Sequence, residues 1–530
     1  MTIGYPAIER DRKPVRRTVI ERSALSLLIL FAIVVRAWKI DQPIVENYVG
    51  RQIPTATVAR NLERGSGFGS PLLDTGPFPN WFLVEPPIFE SAAIFVKHIS
   101  NFSLEASGRI VSIFGLMLTA WGVWSLVRAR GTAIEALSAA AAVAAFPITI
   151  RYGRAFQPDS LALGCAIAGV ALFDSSQQIQ VRSRLRILIN VVAWLSLATG
   201  IALKFVTAIA PMAALAVVID QPKKIKKLAL ASTLIPALVW YVHAARMLLG
   251  GAGSLASRQS AAIWLDAAAI PHALAKLDLY QLAGKYLFVR SFTPFGFALV
   301  VIAFAFIKID RIWKIWGAVA AIELIVLANK AHHEYYWQAL VPVFAAALGS
   351  AIDSIHKKMG SVATIASLSV LFGLGLYQAR STYRTPTEWA SLAEAAAEVE
   401  RIVPRHSLVV APEALLYQAD RRGCRLELDR RSARRAASEW MRTVRDLENP
   451  TVIDSAVDLV EFYRIQGAEY LADLGGCDRE RSAWRDAMRA KYQVVVDRPC
   501  VFIARLITIQ SDDRRTVAAG NDFGRKGIKK

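Results

Sequence analysis

A carboxylate and an arginine five residues apart, Glu46 and Arg51, stand directly after the first long apolar run of the chain, Ala24 to Trp38. Arg51-Gln-Ile-Pro leads into a segment of helical composition, Thr55-Ala-Thr-Val-Ala-Arg-Asn61. Ionisable groups beside a membrane span are costly to hold dry, so they call for a functional reason. Similar groups recur along the chain: Glu85-Pro-Pro-Ile-Phe-Glu90, Arg151-Tyr-Gly-Arg154-Ala-Phe-Gln-Pro-Asp159, and Asn329-Lys-Ala-His-His-Glu-Tyr-Tyr336. Lys204 is the lone charge after an apolar hairpin expected at Thr199-Gly200. Such a set suits transfer of a group from a lipid-linked phosphate. A carboxylate deprotonates an acceptor hydroxyl while basic side chains hold the departing phosphate. Arginine offers a planar fork to phosphate oxygens and lysine a point charge.

Each residue also has a plainer account. Arg151, Arg154 and Lys330 suit interfacial anchors, and Asp159 after Pro158 suits the first turn of a helix, facing its dipole. Tyr335, Tyr336 and Trp337 suit an aromatic belt. His332-His333 lacks the spacing of a helical zinc pair. The pattern as a whole carries the functional expectation.

The elements that must position these groups are membrane spans. The chain has 530 residues, 54% of them hydrophobic, and a mean hydropathy of +0.35. Apolar runs of roughly 17 to 22 residues, long enough to cross a hydrocarbon core, fall near 23–40, 109–128, 132–150, 159–175, 185–201, 203–219, 228–248, 292–308, 313–329, 335–352 and 360–377. No small-residue cleavage site follows the first, and Trp38 and Lys39 read as interface anchors, so it is expected to be a span.

The net charge is +20, from 63 basic and 43 acidic residues. Much of the excess sits in the N-terminus and in every second connection: Arg128/Arg130, Arg182/Arg184/Arg186, Lys223 to Lys227, Lys308/Arg311/Lys314 and Lys357/Lys358. That alternation is a topology signal, and no nucleic-acid partner is needed to explain it. It predicts a multi-pass protein of the inner (plasma) membrane with a cytoplasmic N-terminus and a periplasmic C-terminal domain. The candidate chemical residues then collect on the outer face.

Residues 1–22 form a basic cytoplasmic tail and 23–377 the membrane domain, with outside loops at 41–108 and 249–291. The second loop, with Gly250-Gly-Ala-Gly, is a candidate gate. Ile88 to Ile99 is amphipathic and expected to lie in the interface. Residues 378–510 alternate short helices and strands, as in a small α/β domain. Strands are expected at Leu408-Val-Val-Ala, Thr451-Val-Ile, Glu469-Tyr-Leu, Val494-Val-Val and Cys500-Val-Phe-Ile-Ala. Residues 511–530 are expected to be a disordered tail. Three of the four cysteines, Cys424, Cys477 and Cys500, fall in the C-terminal segment, where one disulfide has three pairings open to it. No inverted pair of broken helices argues for a secondary transporter.

At these residues the chain resembles membrane glycosyltransferases of the GT-C fold (glycosyltransferase family 39), a group that includes protein O-mannosyltransferases and the lipid A aminoarabinose transferase. The resemblance runs through the acidic first loop, the Arg51–Asn61 segment, Glu85-Pro-Pro-Ile-Phe-Glu90 and the turn Arg154 to Asp159. It continues through the Lys204 hairpin, His333-Glu-Tyr-Tyr336 and Leu416-Tyr-Gln-Ala-Asp-Arg-Arg-Gly423, and covers about residues 24–505. It implies a polyprenyl-phosphate-linked sugar donor, an acceptor that is a protein, lipid or glycan, and inversion at the anomeric carbon.

The resemblance further implies Glu46 as general base, in place of the usual Asp, with Glu85 and Asp159 as second acids. Arg51, Arg154, Lys204, His333 and Tyr335 are the donor or phosphate contacts. A divalent cation is compatible with the pattern and not required by it. Gly50 and Pro54 depart from the group's usual Trp and acid. A lipid-linked saccharide transporter or assembly factor, or an inactive scaffold relative, would share the groove without the base.

Overall fold

The computed structural model describes residues 19–46, 48–178, 183–218, 224–250, 269–443, 453–474 and 479–508. The chain divides into two compact units, one of residues 1–40, 109–240 and 266–380, the other of 41–108, 241–265 and 381–530.

The first unit is helical, and the eleven apolar runs all fall on helices. Among the described residues, five helices are long and apolar enough to cross a membrane, and six if the bent pair Leu277–Arg290 and Pro294–Phe306, turned by 105°, counts as one span. The last two runs share helix Val341–Ala379, which breaks at Gly360, where φ is +83°. Glycine takes that left-handed conformation without the Cβ clash other residues meet.

Small residues bring these helices together. Lipid gives no hydrophobic drive between helices, so close backbone packing must do so. A Cβ on Gly164 would stand 2.0 Å from the carbonyl of Gly115, and one on Gly200 would stand 2.7 Å from that of Ala162. Helices Leu104–Arg128, Asp159–Gln178 and Ser183–Leu203 thus meet backbone to backbone. The alanine-rich Ala133–Ala145 is buried from Ser138 through Ala145 and packs on Val341–Ala379.

Arg36, the charge that interrupts the first apolar run, is fully buried. It donates to the carbonyls of Ala144 (2.8 Å), Ala32 (3.1 Å) and Thr149 (3.2 Å). The break between Ala133–Ala145 and Pro147–Tyr152 leaves the Ala144 carbonyl without its intrahelical partner, and the guanidinium fills that need inside apolar surroundings.

One expectation changes. Ser183–Leu203 runs on through Thr199-Gly200, and the break before Phe205–Val218 falls at Lys204 itself. Gly200 serves helix packing instead of a turn.

The second unit holds a five-stranded sheet in the order β2-β1-β3-β5-β4, with β1 (Leu408–Ala411), β2 (Gly423–Arg425), β3 (Ala468–Leu474), β4 (Tyr492–Arg498) and β5 (Val501–Thr508). β1 is parallel to β2 and β3, and β5 is antiparallel to β3 and β4. One face packs Trp440, Phe462, Tyr463 and Met488, and the other Leu392, Val399, Leu415 and Val45. Of the expected Thr451-Val-Ile strand, Ile453 is buried but not in a strand, and Thr451 and Val452 lie outside the described residues. Ser455 accepts from the amide of Asp458 and caps the helix that begins at Ala456, so the chain just before it serves a helix start. β2 is a further strand, three residues long and too short for an alternation signal. Cys424 and Cys500 are free thiols, and Cys477 lies outside the described residues.

The 41–108 segment is built onto this domain. Val45 enters the sheet core, and Thr75 bridges Gly423 in parallel, adding to the free edge of β2. An open edge invites foreign strands, and this contact covers part of it.

Candidate functional site

In the first unit the turn Arg154–Asp159 and the break at Lys204 come together. Asp159 begins helix Asp159–Gln178, and its carboxylate is 1% exposed; Lys204 Nζ lies 3.1 Å from its Oδ1. The segment Glu334–Leu340 adds the rings of Tyr335 and Tyr336, whose centroids are 4.8 and 5.3 Å from Nζ. An ammonium beside aromatic faces gains on the order of 0.5–2 kcal/mol. Together the carboxylate and the rings hold the Lys204 side chain in place where water is scarce. His333 stacks parallel on Tyr335 at 5.4 Å and orders this aromatic wall.

Arg154 is engaged by the chain itself. It is fully buried and its Nη2 donates to the carbonyl of Lys39 at 2.8 Å. Arg109, equally buried, donates to the carbonyl of Ile40 at 2.6 Å, so two arginines fasten the end of the first span. Arg151 is also no surface anchor: 2% exposed, it pairs with Glu334 at 2.6 Å, and Arg290 Nη2 lies 3.3 Å from the other Glu334 oxygen. Glu334 and Arg290 are charges that sequence reasoning left without roles. The alternation of His and Tyr around Glu334 was the available signal.

In the second unit the packing of Val45 in the sheet core fixes where Glu46 stands. Glu46 is 1% exposed, its Oε2 accepts from the amide of Val45 (3.2 Å), and its carbonyl accepts from Gln52 Nε2 (2.7 Å). Arg51 pairs with Glu85 and lies over the ring of Phe82 at 5.4 Å. Glu90, 2% exposed, shares the field of Arg51. Burial pushes its carboxyl up to about 7 against the opposing pull of its backbone hydrogen bond and of Arg51. Sequence reasoning noted Glu90 and gave it no role; its place one turn after Glu85-Pro-Pro was the signal.

The two departures in the first loop are an i, i+4 pair within helix Val49–Glu63. Pro54 has no N–H for the carbonyl of Gly50, and a proline ring crowds the carbonyl four residues back. Gly50 has open space around its Cβ position, so no neighbour demands glycine there.

The turn at Asp420 ties the first loop to the sheet domain. Arg60 lies 2.5 Å from Asp74 and 3.2 Å from Asp420, and Arg64 lies 2.7 Å from Asp420. Arg421 is buried and donates to the carbonyls of Val403 and Glu400, both at 2.9 Å. The Leu416–Gly423 motif is therefore a fastening. Beside it, Arg60, Glu63, Lys97, Glu105 and Tyr417 line a polar cavity of about 320 Å³.

Residues 84–248 match the family model of dolichyl-phosphate-mannose-protein mannosyltransferases. No curated protein matches the chain. Among solved structures, the chain is similar to ArnT from Cupriavidus metallidurans in the apo state, with 12% identity, TM-score 0.60, and 92% of this chain and 98% of that one covered. The same ArnT bound to undecaprenyl phosphate gives 13% identity and TM-score 0.57, with the same coverage. The archaeal oligosaccharyltransferase AglB from Archaeoglobus fulgidus, in complex with an inhibitory peptide and a dolichol-phosphate, gives 13% identity and TM-score 0.51, covering 86% of this chain and 69% of that one. The chain is a polytopic helical membrane protein with a C-terminal α/β domain, and its fold is the GT-C fold of these glycosyltransferases.

Proposed function

We propose that the protein transfers a sugar from a polyprenyl-phosphate-linked donor to an acceptor at the outer face of the inner membrane, with the N-terminus cytoplasmic and the α/β domain periplasmic. The observation that carries this reading is the buried Lys204–Asp159 pair against Tyr335 and Tyr336, on a fold that in ArnT is found with undecaprenyl phosphate bound. The basic alternation of the connections supports the orientation.

In this reading the acceptor hydroxyl attacks the anomeric carbon of the donor, and the bond from that carbon to the phosphate oxygen breaks with inversion. The hydroxyl proton passes to a carboxylate, for which Glu46 is our assignment. The polyprenyl phosphate leaves with the bonding pair, and Lys204 stabilises the charge that develops on it. Arg51 and Glu85 order the first loop, and His333 and Tyr335 shape the lysine's surroundings.

Sugar transfer from polyprenyl-phosphate sugars is the test, with Glu46→Gln, Glu85→Gln and Asp159→Asn compared with wild type. Removing a general base should cost about 10²- to 10⁴-fold in turnover. Full activity in Glu46→Gln removes the base assignment. Movement of lipid-linked sugar without bond transfer would replace the enzyme reading with a transporter.

A further inference from the structure

The turn before Asp159 contains a side chain that the fold leaves unsatisfied. Gln157 is 0% exposed, and neither its Oε1 nor its Nε2 has a hydrogen-bond partner among the described residues. A buried primary amide with nothing to bond loses its hydration without replacement, and native structures rarely leave both ends so.

The backbone around it is fixed. The amide of Gln157 donates to the carbonyl of Ala155 at 2.8 Å. Ser112 Oγ lies 2.5 Å from that carbonyl and 3.3 Å from the carbonyl of Gln157. Pro158 then restricts the backbone of the residue before it. The turn has no slack with which to swing the amide out to water.

A second amide stands on the segment that carries Tyr335 and Tyr336. Gln338 is 2% exposed, its Oε1 lies 3.4 Å from Ser160 Oγ, and its Nε2 has no partner among the described residues. Ser160 is the neighbour of Asp159, so the two amides stand on the two segments that bring Asp159 and the Tyr335 and Tyr336 rings to Lys204.

The two leave different needs. Phosphate oxygens only accept hydrogen bonds, so a phosphate could serve the bare Nε2 of Gln338 but only half of Gln157. A group that both donates and accepts matches both ends of Gln157. Sugar hydroxyls do this, and amino substituents on a sugar do so when neutral.

We propose that Gln157 reads a hydroxyl or amino group of the donor sugar, and that Gln338 donates to an oxygen on the phosphate side of the same donor. This rests on the lipid-linked-donor reading above. Both are positioning residues for that donor, and Gln157 is its specificity element. Sites built to hydrogen-bond a substrate group reject analogues that lack it.

The experiment measures binding to purified full-length protein in nanodiscs. The probes are undecaprenyl phosphate and the undecaprenyl-phosphate sugar bound best among a hexose, an acetamidohexose and an aminopentose. Gln157→Leu should weaken binding of the glycosylated lipid about tenfold or more, the equivalent of about 1.4 kcal/mol, and leave sugar-free undecaprenyl phosphate within twofold. Gln338→Leu should weaken both lipids. Ligand-free melting temperatures should hold or rise in both variants, since the apolar side chain removes an unpaired polar group. Gln157→Met, close in shape, makes the same comparison if the leucine variant misfolds. Unchanged affinities with a lower melting temperature would make the amides core residues and overturn the proposal. Equal loss for both lipids in Gln157→Leu would overturn the sugar assignment. If wild type binds neither lipid, the donor reading fails and takes this proposal with it; if wild type binds both and the variants match it, only this proposal fails.

Discussion

Lys204 Nζ stands 3.1 Å from Asp159 Oδ1, the lysine side chain 10% and the aspartate side chain 1% exposed. The aspartate holds the ammonium in place and also competes for it with any phosphate that binds. The two residues should therefore fail differently. Asp159→Asn leaves a buried cation short of its counter-charge, and breaking one side of such a pair costs about 3–5 kcal/mol. Undecaprenyl phosphate restores a counter-charge, so it should raise the melting temperature of Asp159→Asn more than that of wild type. Lys204→Met should lose lipid-phosphate binding by tenfold or more and show little ligand-induced shift. Thermal melts of the purified variants with and without the lipid check both halves. Identical lipid-induced shifts in the two variants would contradict the competition.

Glu90 gives the fold a pH dependence of known sign. Its carboxyl is raised from 4.5 to about 7 by burial, more than its own backbone hydrogen bond and the charge of Arg51 can offset. A raised acid binds its proton more tightly folded than unfolded, so stability falls as pH rises from 4.5 to about 7 and is level beyond. The span corresponds to on the order of 3 kcal/mol. Glu90→Gln should remove that slope and be more stable than wild type at pH 8. Denaturation at pH 5 and pH 8 checks it, and an unchanged slope in the variant would assign the titration elsewhere.

Helix existence was legible because apolar length and small-residue content are local properties of sequence, and every apolar run falls on a helix. The chemistry of individual charges was less so, because arginines look alike until their partners are known. Arg36, Arg109 and Arg154 turn to backbone carbonyls, whereas Arg151 adds to its carbonyl partners an ion pair with Glu334, 183 positions away. Thr199-Gly200 has turn composition, yet the helix breaks four residues later, at Lys204. The same glycine is what a backbone contact with Ala162 demands, and sequence alone does not separate the two uses. Gln157 is illegible in the sequence for a related reason: an amide in a turn is ordinary, and only its complete burial makes it notable.

The glycine contacts make a prediction with an internal control. A Cβ on Gly164 would stand 2.0 Å from the Gly115 carbonyl, whereas one on Gly373 would meet nothing within 4 Å. Gly164→Ala must push two helices apart, and overpacking of this kind costs about 1–3 kcal/mol. Gly373→Ala, in an open part of its helix, should be neutral or stabilise by roughly 0.5–1 kcal/mol, because alanine loses less backbone freedom. Unfolding of both variants in detergent should place Gly164→Ala below wild type and Gly373→Ala level with it or above, and equal losses in the two would contradict close packing at Gly164.

Asp420 is the joint between the first loop and the sheet domain. It sits at φ +50°, a conformation that Asp and Asn tolerate better than most residues, and it receives Arg60 at 3.2 Å and Arg64 at 2.7 Å. Burial raises its carboxyl, but the hydrogen bond from Arg64 and the charge of Arg60 outweigh this and hold it below the usual range. A depressed acid contributes stability above its unfolded value near 3.8 that is lost as pH falls through the folded value. Asp420→Asn keeps the shape and the backbone conformation while removing the charge, and should cost about 1 kcal/mol at neutral pH. Asp420→Ala should cost more, since it also forces an unsuited residue into the left-handed turn. Limited proteolysis within residues 41–108 should accelerate in both variants, in the order alanine, asparagine, wild type, because this turn fastens that segment. Equal cleavage rates in all three would show that the segment is held without it.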